Sequence, residues 1–146
     1  MKTILTGFLI LLLNAPVRAW ENRKFAASVT VPTTGWRLKI ASIYKVKNAL
    51  WVIAQLTPPA GLAGDALTSA ADEISINAPS GEAKYFILGK DWNWRNQEPY
   101  EFIPSSDIAG FLEKLNRRKD KKLIWSDTAK SKHPTHNHSP DRPAAQ

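Results

Sequence analysis

The strongest constraint in this chain is a run of period-two alternation over residues 36–46. Trp36, Leu38, Ile40, Tyr44 and Val46 take the even positions, interrupted only by Ser42, while Arg37, Lys39 and Lys45 occupy odd ones. Successive side chains of an extended strand point to opposite faces, so this pattern predicts a strand with one buried and one wet face. Residues 50–57 repeat it, with Leu50, Val52, Ala54 and Leu56 on one side and Trp51, Ile53 and Gln55 on the other. Lys47-Asn48 between the two runs is turn-forming, because Asn tolerates positive φ, and the pair should close an antiparallel hairpin.

Three more strands are expected around this hairpin. Residues 25–31 alternate through Phe25, Ala27, Val29 and Val31, and residues 73–77 and 83–88 flank the turn-rich Ala78-Pro79-Ser80-Gly81. Five strands with short connections predict a mainly β domain, a small antiparallel sheet or immunoglobulin-like sandwich. Ile108, Phe111, Leu112 and Leu115 then recur at helical spacing after Pro104-Ser105-Ser106-Asp107, where Ser or Asp can cap free N–H groups. This predicts one helix near residues 105–118, docked on the sheet by that stripe.

The two ends read differently. Lys2, an apolar stretch over residues 4–13 and Val17-Arg18-Ala19 have the order of a cleavable signal peptide at residues 1–19. The apolar stretch is shorter than the roughly 20 residues a bilayer span needs. The expectation is an exported protein, periplasmic or extracellular, with no transmembrane segment in the mature chain. The folded domain should occupy residues 20–125, followed by a disordered basic tail over 126–146. The formal charge of +7 belongs to that end: residues 20–113 hold nine Lys/Arg against ten Asp/Glu, residues 114–146 nine against three. A basic tail on a near-neutral body does not make nucleic acid an expected partner. The run from Lys114 to Lys122 could hold an anionic membrane surface or acidic polysaccharide through salt-sensitive contacts; its plainer reading is the solvated end of the helix, where cations complement the backbone dipole.

Chemistry-bearing residues are few. The chain has no Cys, and His133, His136 and His138 all lie in the tail. Neither thiol chemistry nor a rigid Ser-His-Asp arrangement can be assembled in the body, so the protein is expected not to be an enzyme. No cofactor is expected, and the three His should not form a defined metal site without a fixed second shell. Binding is the better-supported class. Thr33, Thr34 and Gly35 precede the first long strand, and Pro59, Gly61, Leu62 and Gly64 follow the second. A strand–hairpin–strand path returns both loops to one end of the sheet, where loops on a rigid scaffold bind partners. The alternative set is Trp92, Trp94 and Tyr100, near Asp91, Glu98 and Glu101, which suits stacking on a glycan. The plainer reading of these rings is that they close one end of the core.

Two resemblances point to a protein partner. Pro32-Thr33-Thr34-Gly35-Trp36 resembles the Asn-Pro-Thr-Thr-Gly-aromatic loop of chagasin-type cysteine-protease inhibitors, immunoglobulin-like domains that block a protease cleft with three loops. The glycine-containing loop over 58–65 and the aromatic stretch over 91–94 follow in comparable order. Val31 stands where that family has Asn, and its Gly-x-Gly-Gly and Arg-Pro-Trp patterns do not occur. Residues 35 to about 79 are also similar in pattern to the C-terminal domain of PrcB-like protease-complex subunits, through the alternating hairpin, the proline-glycine loop and Ala66-Leu67-Thr68-Ser69-Ala70. Both imply a non-catalytic accessory or inhibitory role beside a protease.

Overall fold

The alternating runs become the central hairpin of a mainly β fold. In the computed structural model, which describes residues 19–130, β2 (Arg37–Val46) and β3 (Ala49–Thr57) pair antiparallel. Lys47, rather than Asn48, takes the left-handed backbone of their turn, at φ 53°. Around them lie β1 (Trp20–Val31), β4 (Thr68–Pro79), β5 (Glu82–Lys90), β6 (Glu101–Pro104) and β7 (Lys121–Ser126). The helix α1 (Ile108–Arg117) is entered through a 3-10 turn at Ser105–Asp107, and a single helical turn, α2 (Asp127–Lys130), follows β7.

These strands form two sheets, one of β1 and β4 and one in the order β6-β5-β3-β2-β7. Among the described residues seven strands therefore stand where five were expected. β6 and β7 are short and border Pro or charged residues, so they carry too few alternations to be read as strands. Nor is the larger sheet purely antiparallel: β3–β5 and β5–β6 are parallel. The reason lies at Ser80-Gly81, which does not fold β5 back onto β4 but passes the chain from the small sheet to the large one. Gly81, at φ 145°, lets the backbone graze the β2–β3 turn, since a Cβ there would lie 2.7 Å from the Asn48 carbonyl oxygen.

The two sheets face each other across one core. Phe25, Ala27, Val29 and Val31 from β1 meet Leu38, Ile40 and Ile43 from β2, Leu50, Val52, Ala54 and Leu56 from β3, and Ile87 from β5. Ser42 breaks the expected parity because β2 shifts register between Ile40 and Ser42. After that bulge Ile43 turns into the core, and Tyr44, expected beside Ile40, packs on the opposite face. There α1 covers the sheet. Leu115 is buried against Ile53, Phe86 and Leu88, with Ile108 and Phe111 packed alongside. Leu112 stays exposed, so the docking stripe is narrower than its spacing suggested. Neither Ser nor Asp caps the helix; the Ser106 hydroxyl bonds the Asp107 carboxylate instead.

Order extends past residue 126, where the tail was expected to begin. Ser126 pairs with Ser42, and Asp127 forms a salt bridge with Lys39, so β2 holds this segment in place. The segment expected to be a signal peptide lies, up to residue 18, outside the described residues, as do the three tail histidines. No helix among the described residues is long and apolar enough to cross a membrane.

Candidate functional site

Strand direction gathers three connections at one end of the molecule. Val31 is opposite Thr68, Arg37 opposite Thr57, and Lys90 opposite Pro104. The β1–β2 connection (32–36), the β3–β4 connection (58–67) and the start of the β5–β6 connection (91–100) therefore share that end, as the strand path predicted for the first two.

The first two are tied together. The Gly64 N–H donates to the Thr34 hydroxyl at 2.9 Å, and the Thr34 N–H donates to the Gly64 carbonyl at 3.3 Å. Gly35, at φ 86°, brings its backbone against Pro59: a Cβ added there would sit 2.8 Å from the proline Cβ. Thr34, Gly35, Pro59 and Gly64 thus form one reciprocal clasp, with Thr33 half-buried beside it. Gly61 has open space around it and Leu62 is fully exposed. Leu62 is not tucked into the core. Leu67, at the far end of the same connection, is exposed as well.

The third connection joins the first through its rings. Trp36 and Trp92 meet edge to face at 5.3 Å, and Trp94 stacks on Trp92 at 5.4 Å. Trp92 and Tyr100 also pack on the main core, as does Trp36, so the plainer reading holds for those two of the three rings and not for Trp94. β6 begins opposite Phe86, well down β5, so residues 91–100 run back along the outer edge of β1. That edge has no strand partner among the described residues, and side chains take its place. The Thr30 N–H donates to Glu98 Oε1 at 2.5 Å, the Ser28 N–H to the Tyr100 hydroxyl at 3.4 Å, and the Asn96 amide donates to the Thr30 carbonyl at 2.9 Å. Asn96 is the one buried polar residue among those described, and its oxygen accepts the Trp92 indole N–H at 2.9 Å. From Ser28 to Thr30 the edge is thereby closed to further strands.

Two titrating groups record this arrangement. Burial pushes the Tyr85 hydroxyl above the usual tyrosine range, against a hydrogen bond from the Ala26 backbone. Burial also acts to raise the Glu98 carboxyl, but hydrogen bonds led by the Thr30 backbone, with Asn96 adding to them, outweigh it and leave the group below the usual glutamate range.

The alternative trio is not assembled on one surface. Trp92 and Trp94 stack, but Tyr100 lies 5.3 Å from Tyr85 with its hydroxyl on β1. Asp91, Glu98 and Glu101 line three separate hollows. No family model, curated protein or solved structure matches the chain. Among the described residues no group of three His, Cys, Asp or Glu could hold a metal ion.

The basic run is more structured than a solvated helix end. Arg118 lies 4.9 Å from the Trp51 ring and is gripped by both oxygens of Asp120, while Arg117 pairs with Glu113. Lys121 reaches the carbonyl and side chain of Asn116 and stands over Tyr44. The Asn96–Thr30 tie was the feature sequence reasoning missed. An Asn four residues after a Trp is a faint signal, and nothing in the sequence joins it to β1.

Proposed function

We propose that this is an exported, non-enzymatic protein-binding domain that acts on a protease, as an inhibitor or an accessory subunit, through the end built by connections 32–36 and 58–67. The observation that carries this reading is the clasp between Thr34 and Gly64, which fixes two loops against each other while Leu62 points into solvent. A loop held in place before binding loses less conformational entropy on association, and an exposed apolar side chain on a rigid loop is a natural anchor. The Pro32-Thr33-Thr34-Gly35-Trp36 resemblance and the convergence of three connections at this end support the same reading.

The test titrates purified protein against papain-like cysteine proteases. Hydrolysis of a fluorogenic peptide reads inhibition, and calorimetry with active-site-blocked protease reads binding that leaves activity intact. Thr34→Asp, or deletion of residues 61–64, should weaken binding by about thirtyfold or more, the scale of a hot-spot loss of about 2 kcal/mol. Trp94→Ala should leave it intact. Failure to bind any protease, or binding indifferent to both loop changes, overturns the proposal. A second reading, glycan or anionic envelope binding by Trp94 stacked over Trp92 together with the basic C-terminal run, rests on that ring pair and predicts the reverse pattern.

A further inference from the structure

A hollow of about 330 Å³ lies on the helix-covered side of the large sheet, between α1 and strands β3 and β5. It involves neither the clasp nor the tryptophan pair. Its wall is aromatic: Trp51 and Phe86 are 4.6 Å apart, and Phe86 and Phe111 5.3 Å apart, each pair tilted by less than a right angle. Leu115 completes the apolar lining. A volume of this size lies at the lower end of the range for small-molecule sites, about 300–1,000 Å³.

The rim is charged and unevenly balanced. Arg118 is fixed over Trp51, and its charge is answered by Asp120. Lys84 and Lys114 form no salt bridge among the described residues, and Glu101 is the single carboxylate lining the hollow. One positive charge is left over once these groups are counted. Trp51 and Phe111 are half-buried and Phe86 lies buried between them, so the wall offers a continuous aromatic surface that suits another planar ring. The arrangement thus pairs an aromatic wall with an excess cation at its mouth. Residues 131–146 are a poor occupant, since they carry Lys132 and Arg142 against Asp141 alone.

We propose that this hollow binds a small aromatic monoanion, a planar ring system bearing one carboxylate or sulfonate. The ring lies against Trp51, Phe86 and Phe111, and the anion is held by Lys84 and Lys114. The site is independent of protease binding and of the loops that serve it.

The probe is anilinonaphthalene sulfonate, an aromatic monoanion whose fluorescence rises in apolar surroundings, titrated into the full folded chain. Saturable binding of one equivalent is expected. Lys84→Gln/Lys114→Gln should weaken it about tenfold, the loss expected for two partly exposed ion pairs. Lys24→Gln/Lys122→Gln removes the same charge away from the hollow and should leave it unchanged. The uncharged analogue phenylnaphthylamine should bind the native chain less tightly and be insensitive to the Lys84/Lys114 change. All four lysines are substituted at the surface, and near-UV circular dichroism confirms that each variant keeps the native fold. Equal loss in both double variants, no loss in either, or equal affinity for the charged and uncharged probes overturns the proposal.

Discussion

Replacing Asn96 by Ala removes its hydrogen bonds to Trp92 and to Thr30 at once. The Trp92 indole N–H loses its acceptor and the Thr30 carbonyl loses the amide that covers it, both at 2.9 Å in the native chain. Asn96 is only 8% exposed, so water replaces these partners poorly. Each bond contributes about 1 kcal/mol net, and leaving its partner unsatisfied adds to that, so the substitution should cost about 2–3 kcal/mol. Against a total of about 5–15 kcal/mol for a domain, this is a large share. Tm should fall by about 10 °C or more. Urea unfolding followed by far-UV circular dichroism measures the change without relying on tryptophan emission. Repeating Asn96→Ala in a Trp92→Phe background isolates the indole bond, because Phe has no N–H to strand. The second substitution should then cost about 1 kcal/mol less than in the native chain. A loss below about 0.5 kcal/mol, or no difference between the backgrounds, would refute the reasoning that Asn96 ties the third connection to β1.

Other substitutions probe the remaining supports. Gly35→Ala combines a positive φ with a 2.8 Å approach to Pro59, and should cost at least about 1 kcal/mol by thermal melting while also loosening the clasp. Leu115→Ala should destabilise by about 2–4 kcal/mol and expose the helix-covered face of the sheet, read as a fall in urea midpoint at unchanged native circular dichroism. Because the folded Glu98 carboxyl titrates below its unfolded value, its stabilising effect is present above the unfolded pKa of about 4.3 and is lost as pH falls through the folded pKa. Glu98→Gln should flatten the acid limb of the stability–pH curve below about pH 5, and an unchanged limb would exclude that role.

Sequence reading reached the fold class because β2 and β3 advertise themselves. Leu38, Ile40, Leu50, Val52, Ala54 and Leu56 alternate cleanly, and every one of them is buried. Even the bulge left a trace, in the polar Ser42 amid apolar positions. The parallel pairing of β3 with β5 left none. Pro79-Ser80-Gly81 has the composition of a hairpin turn, and only the tertiary approach of Gly81 to Asn48 shows that the chain changes sheets there. The clasp was legible in part, since strand direction placed the two loops at one end, but the hydrogen bonds between Thr34 and Gly64 depend on loop conformations that composition does not encode. The third connection offers rings suited either to a glycan or to covering the core. Its second task, closing the edge of β1, arises from contacts far apart in sequence and has no local signature.

The division of strands between sheets also shapes how the protein comes into being. β1 is the first of the described strands to leave the ribosome, yet its only strand partner is β4, made after the whole β2–β3 hairpin. During that interval the backbone of residues 25–31 lacks its β4 partner, while β2 and β3 can already zip together locally. Pairing of high sequence separation is slow, and an unpaired apolar strand is prone to aggregation while it waits. The nascent chain therefore passes through a vulnerable stage set by strand order, during which a holding chaperone has a ready target in residues 25–31.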